Sequence, residues 1–130
     1  MKTKIGSCIC NTVEFSVAID KDAIIYNCHC IDCRKATGSS FISVIEFKLE
    51  KLKIDKNKLN SFTHQGGSGK SLKRYYCKIC KAPVYIYVEK YDENYIYVGL
   101  FDKINDFKIS ENASYQDSHF LFLDIKENKL

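Results

Sequence analysis

Proline occurs once in the 130 residues and glycine six times, which excludes a collagen-like repeat and a Pro/Gly-rich disordered chain. No apolar run approaches the roughly 18 residues that a membrane helix needs, and the opening Met-Lys-Thr-Lys-Ile-Gly-Ser-Cys lacks the apolar stretch of a secretory signal. A cytoplasmic protein with no membrane partner is expected. Ala and Leu are scarce beside Ile, Val, Phe and Tyr, which outnumber them about threefold, so a mainly β single domain spanning residues 1–130 is expected. Arginine is nearly missing, two residues against eighteen lysines, and base reading leans on arginine, so nucleic acid is not an expected partner. The lysines between Lys48 and Lys58 alternate with Glu46, Glu50 and Asp55 as on a solvated face.

What is present is β pattern and cysteine. Val13, Phe15, Val17 and Ile19 alternate with polar or small neighbours, as a strand with one buried face requires. Shorter strand-like runs cover Ile24 to Cys28, Phe41 to Phe47, Lys51 to Ile54, Leu59 to His64, Leu72 to Tyr76, Val84 to Glu89 and Tyr95 to Phe101. Ile31 to Thr37 suits a helical turn, and Asp92-Glu93-Asn94 a hairpin turn that would set Tyr85 and Tyr87 against Tyr95 and Tyr97. The glycines of Gln65-Gly66-Gly67-Ser68-Gly69 read as a loop that borders a pocket. Gly69-Lys70-Ser71 imitates the end of a phosphate-binding loop, but the leading glycine position holds His64 and no helix follows, so a nucleotide site is excluded.

The seven cysteines form three clusters: Cys8 and Cys10; Cys28, Cys30 and Cys33; Cys77 and Cys80. An odd count without an export signal is a poor disulfide framework and points to metal. In extended chain, residues i and i+2 point the same way, and C-x-x-C converges from a tight turn, so every spacing can chelate. The middle cluster fills three tetrahedral corners within six residues, and the outer two supply four sulfurs from segments far apart. The economical partition is a saturated, structural site on Cys8, Cys10, Cys77 and Cys80 and an open, catalytic one on Cys28, Cys30 and Cys33, each holding zinc.

His29 or Asp32 could close the second site and leave both zincs structural, as in a zinc-stabilised binding module. His29 lies between two ligands in an extended segment, so its ring points away from their metal and a role in the pocket fits it better. A redox role for C-x-x-C fits poorly, because no cysteine is left over. Both arginines sit beside cysteine clusters. Arg34 is a candidate for holding a substrate carboxylate, whereas Arg74 reads as a packing residue. His64 and His119 show no ligand spacing.

Gly6-Ser7-Cys8-Ile9-Cys10 with Val13-Glu14-Phe15, then Asn27 through Lys35 with Gly38 and Phe41, then Arg74-Tyr75-Tyr76-Cys77-Lys78-Ile79-Cys80, resembles the glutathione-dependent formaldehyde-activating enzyme family, which includes centromere protein V. The likeness runs from about Gly6 to Asp102. It implies a β-tent-like fold with two zincs divided over the cysteines as above. It also implies a carbon–sulfur lyase-class reaction, the condensation of glutathione with formaldehyde; on physical grounds His29 and Arg34 are the candidate donors to orient the aldehyde oxygen or a glutathione carboxylate.

The chain departs from the family pattern in three places. Asn11 and Lys81 stand where glycines are expected, and a left-handed Lys costs roughly 1–2 kcal/mol, so the second cysteine turn is expected to differ in shape from the first. Asp106 and Lys108 replace a proline and a histidine. The usual tryptophan is missing.

Overall fold

The computed structural model describes residues 1–67 and 69–114, the last four as backbone only. Strands β1 (Lys2–Ser7), β2 (Glu14–Ile19), β3 (Ile24–Cys28), β4 (Ile42–Phe47), β5 (Leu52–Ile54), β6 (Leu59–Gln65), β7 (Ser71–Cys77), β8 (Pro83–Val88), β9 (Glu93–Tyr97) and β10 (Lys108–Ser114) accompany one α-helix, α1 (Ile31–Thr37). They form two open sheets. The smaller has order β1-β2-β5, and the larger β10-β3-β4-β9-β8-β7-β6. All pairings are antiparallel except β10 against β3. The fold is mainly β, and among the described residues no helix is long and apolar enough to cross a membrane.

The alternation along β2 places Phe15, Val17 and Ile19 on one buried face. They pack against Ile45 and Phe47 of β4, Tyr85 of β8 and Ile96 of β9, so the main core fills the space between the two sheets. The even-numbered residues of β4, Ile42 and Val44, turn to the opposite face. There they meet Cys33 of α1, Ile86 and Tyr97 in a second, smaller cluster. The larger sheet is thus buried on both faces near its middle, and its strands lack simple alternation for that reason.

Three details differ from the sequence-based expectation. Strand β1 carries lysines at alternate positions and an exposed Ile5, so it has no apolar stripe. It is held instead by its ladder to β2 and by Lys2 and Lys4 on Asp106. Gly6 within it cannot carry a side chain, since a Cβ would run into the Leu100 carbonyl oxygen and lie 2.6 Å from the Phe15 ring.

The β8–β9 turn is the second difference. It is a 3-10 turn over Glu89–Tyr91 with Asp92 left-handed at φ 52°, and Glu93 and Asn94 already pair with Val88 and Tyr87. Tyr85 therefore faces Ile96 and not Tyr95. It stacks on Tyr75 at 4.2 Å, while Tyr95 and Tyr97 turn to the second cluster. A one-residue register change moves a side chain to the other face, and here it separates the expected tyrosine ladder. Third, β9 ends at Tyr97 in a 3-10 turn, and only Phe101 returns to pair, with Gly6.

Candidate metal centres

Cys8 and Cys10 follow β1, Cys77 ends β7, and Cys80 lies in the turn before β8. Their four sulfurs lie within 4.8 Å of one another, with Cys8 to Cys10 at 3.5 Å and Cys10 to Cys77 at 3.7 Å. Sulfurs on a tetrahedron with 2.3 Å metal–sulfur bonds are about 3.8 Å apart, so this set fits a four-coordinate thiolate site. Backbone amides support it, from Val13 to Cys8 Sγ at 3.4 Å and from Ile79 to Cys77 Sγ at 3.3 Å. Cys8 and Cys77 are fully buried in the core between the sheets, so a metal here would join the smaller sheet to the larger. Burial pushes the Cys8 thiol up to about 11, whereas bonding to Thr12 brings Cys10 down to about 6. Four sulfurs this close cannot share negative charge without a cation among them.

The two cysteine turns close over different spans, three residues from Cys8 to Asn11 and four from Cys77 to Lys81, so the second differs in shape as expected, although Lys81 accepts the left-handed conformation. Asn11 and Lys81 both take left-handed backbone, at φ 61° and 66°. The Asn11 amide closes on the Cys8 carbonyl at 3.1 Å, and the Lys81 amide on the Cys77 carbonyl at 3.0 Å. Lys81 bears the conformation because the turn is fixed by its two sulfurs, and its Nζ donates to the Lys78 carbonyl at 2.7 Å.

Cys28, Cys30 and Cys33 form the second set, again within 4.8 Å of one another, with no histidine or carboxylate in the same reach among the described residues. Cys28 ends β3, and Cys30 caps α1 by accepting the Cys33 amide at 3.3 Å. Gly38, left-handed at φ 74°, ends the helix on the Arg34 carbonyl. Hydrogen bonds from Cys28 and Cys33 pull Cys30 far below the ordinary thiol range. Bonds to Cys30 and Cys33, then burial, push Cys28 up. Cys33 ends raised because Cys30 and burial outweigh its lowering bond to Cys28. Negative charge collects first on Cys30.

These three sulfurs line a cavity of about 670 Å³, within the range of small-molecule sites. Gly66, Gly67 and Lys70 also line it, so the glycine loop borders the pocket as expected. The loop is tied to the helix where Asp32 Oδ2 accepts the Gly67 amide at 2.9 Å, and the Asp32 carboxylate is not part of the metal set. Lys70 Nζ stands 4.6 Å over the Tyr91 ring. Ser71 opens a strand and not a helix, consistent with the rejection of a phosphate loop.

His29 and Arg34 are not among the lining residues. His29 is 3% exposed and stacks on Phe41 with centroids 4.8 Å apart. Arg34 turns back on its own segment and donates from Nε to the His29 carbonyl at 3.2 Å. His119 lies outside the described residues.

The lining includes one residue that sequence reading treated as packing. Arg74 is 4% exposed and donates to His64 Nε2 at 2.8 Å, to the Tyr97 hydroxyl at 3.2 Å and to Cys33 Sγ at 3.7 Å. Burial alone would lower its affinity for a proton, but the charges of Tyr97 and Cys33 prevail and raise it. Burial pushes Tyr97 up to about 12, with Arg74 opposing, so Tyr97 stays a neutral hydroxyl near pH 7. The scarcity of arginine in a lysine-rich chain was the available signal for this residue.

No curated protein sequence matches the chain. A crystal structure of a Rhodobacter sphaeroides protein matches with a TM-score of 0.59 at 20% identity, covering 82% of this chain and 99% of that one; it shows the shared fold. The model of the glutathione-dependent formaldehyde-activating enzyme family matches residues 3–117, which include all seven cysteines and every wall of the cavity. The chain belongs to the glutathione-dependent formaldehyde-activating enzyme family.

Proposed function

We propose that the protein is an enzyme of the carbon–sulfur lyase type that joins a small thiol, glutathione first among candidates, to formaldehyde or a related small aldehyde. The reading assigns a structural zinc to Cys8, Cys10, Cys77 and Cys80 and a catalytic zinc to Cys28, Cys30 and Cys33. The observation that carries it is a set of three sulfurs in the wall of a cavity, with no fourth protein ligand beside them among the described residues. Family membership supports the same chemistry.

Cys28, Cys30 and Cys33 would hold the zinc, which would supply the Lewis acidity that favours the thiolate form of an incoming thiol near neutral pH. The residues of the chain do the remainder. Cys28, Cys30 and Cys33 fix the direction from which the incoming sulfur is presented. The apolar walls, including Ile42, Val44 and Ile86, limit water around the aldehyde. Arg74, held by His64, Tyr97 and Cys33, keeps a fixed positive charge beside the cavity, which favours the negative charge that builds as the carbon–sulfur bond forms. The thiol proton ends on that oxygen, so the sum of thiol and aldehyde gives the hydroxymethyl thioether with no oxidant or reductant. This gives the orienting role to Arg74 rather than to His29 and Arg34, which brace the cysteine segment. A reducing cytoplasm suits a chain with seven thiols.

The test is exchange of ¹³C-formaldehyde with glutathione, followed by magnetisation-transfer NMR with zinc-loaded protein and Cys30→Ser as control. Faster formation of the adduct by the wild type alone is expected. Equal rates with and without protein would replace this reading by a zinc-stabilised binding module.

A further inference from the structure

Arg74 is a buried cation with no carboxylate partner among the described residues. Its three hydrogen-bond partners belong to three elements, His64 on β6, Tyr97 on β9 and Cys33 on α1. None of the ion pairs among the described residues involves it. A guanidinium does not give up its proton, and an isolated charge in such a place is disfavoured unless an anion stands near. His64, as acceptor, and Tyr97 are neutral partners. Of its three partners, the one that can carry negative charge is Cys33, with Cys28 and Cys30 beside it.

The complementary shortage lies on the other side of the contact. A divalent metal held by three thiolates has a net charge of −1, and a further thiolate would make it −2. A half-enclosed apolar cavity disfavours both. The guanidinium offsets one of these charges at a distance of 3.7 Å from Cys33 Sγ. Its planar fork spans β6, β9 and α1 at once, whereas an ammonium at this position would keep the charge and lose part of the fork's reach.

We propose that Arg74 is the fixed countercharge of the three-cysteine metal centre, a positioning residue that holds Cys33 and lets the centre accept an anionic fourth ligand. The inference rests on the metal-site reading of Cys28, Cys30 and Cys33 given above, and it deepens that reading by naming the residue that balances the charge of the centre. His64 and Tyr97 aim the guanidinium, so the strand ladder β6-β7 and the β9 hydroxyl contribute to the centre without touching it.

The test uses the full chain loaded with Co(II), whose thiolate charge-transfer absorption reports each site, with Cys30→Ser supplying the spectrum of the four-cysteine site alone. Chelator competition then measures retention. Arg74→Gln, which keeps polarity and removes charge, is expected to weaken retention at the three-cysteine site by about tenfold to a hundredfold and leave the four-cysteine site unchanged. Arg74→Lys restores most of the loss, because the charge returns. Equal retention in Arg74→Gln and wild type, or Arg74→Lys as weak as Arg74→Gln, overturns the assignment.

If Arg74→Gln does not fold, Arg74→Lys and Tyr97→Phe decide. Both keep the charge and are expected to hold cobalt within about threefold of wild type, and a tenfold loss in both overturns the proposal. A wild type that binds cobalt only at the four-cysteine site overturns this assignment and the reading beneath it together. Cobalt that is lost on Arg74→Gln, in a wild-type site that takes no thiol, overturns the thiol chemistry and sustains the countercharge.

Discussion

Replacing Cys77 by serine tests the four-sulfur set as the joint between the two sheets. A structural zinc contributes about 10–16 kcal/mol in apparent terms, or roughly 3–4 kcal/mol per sulfur if shared evenly. Cys77 is fully buried, so the serine hydroxyl is also taken out of water, which adds about 1–2 kcal/mol. The expected loss of about 4–6 kcal/mol is a large part of the 5–15 kcal/mol that holds a domain together. At roughly 4 °C per kcal/mol for this size, the melting temperature should fall by about 15–25 °C.

Cys10 is exposed, so Cys10→Ser should show the ligand loss alone, a fall of about 12–16 °C. Thermal melts followed by circular dichroism, with and without chelator, measure both, and chelator should bring wild type and variants toward one another. Melting of Cys77→Ser within about 3 °C of wild type in the metal-loaded state would refute the reasoning.

Gly6→Ala forces a methyl against the Leu100 carbonyl and the Phe15 ring, and urea unfolding should show a loss of about 1–3 kcal/mol. Lys81→Gly should raise stability by about 0.5–1 kcal/mol, since glycine relieves the left-handed backbone at a smaller entropic cost; an unchanged urea midpoint would contradict the strain. Asp106, bonded to Lys4 and then Lys2, is held down to about 2. Its pairing stabilises the fold fully above the ordinary carboxylate value of 3.8 and loses that effect as pH falls to about 2. Lys4→Met should therefore lower the acid sensitivity of melting between those pH values, and a profile identical to wild type would count against the pairing.

The cysteine spacings made the partition into four and three sulfurs readable, because each pair lies in a local turn whose geometry the spacing dictates. The strands with one buried face, such as β2, were readable for the same reason. Strand β1 was not, since lysines and a glycine hold it through main-chain bonds and through Asp106, a residue about one hundred positions away. Nor was β10, a polar strand that pairs with β3 in parallel.

The tyrosine register failed because Asp92 absorbs the turn in a left-handed conformation and so moves Glu93 and Asn94 into the strand. Arg74 was the most consequential miss. Its meaning depends on His64, Tyr97 and Cys33 arriving from three other elements, which no local pattern encodes. The left-handed backbone of Lys81 shows the converse: a cysteine turn closed by the Lys81 amide on Cys77 and the Cys77 amide on Ala82 overrides a residue preference of roughly 1–2 kcal/mol.

The central claim is that the three-cysteine centre takes a thiol. Metal content of the reduced, purified protein combined with calorimetric titration of glutathione, with Cys30→Ser beside the wild type, tests it most directly. The account predicts two zinc ions per chain and a binding heat that disappears in Cys30→Ser together with one zinc. Two zinc ions with no glutathione heat, or a heat that persists in Cys30→Ser, would contradict it.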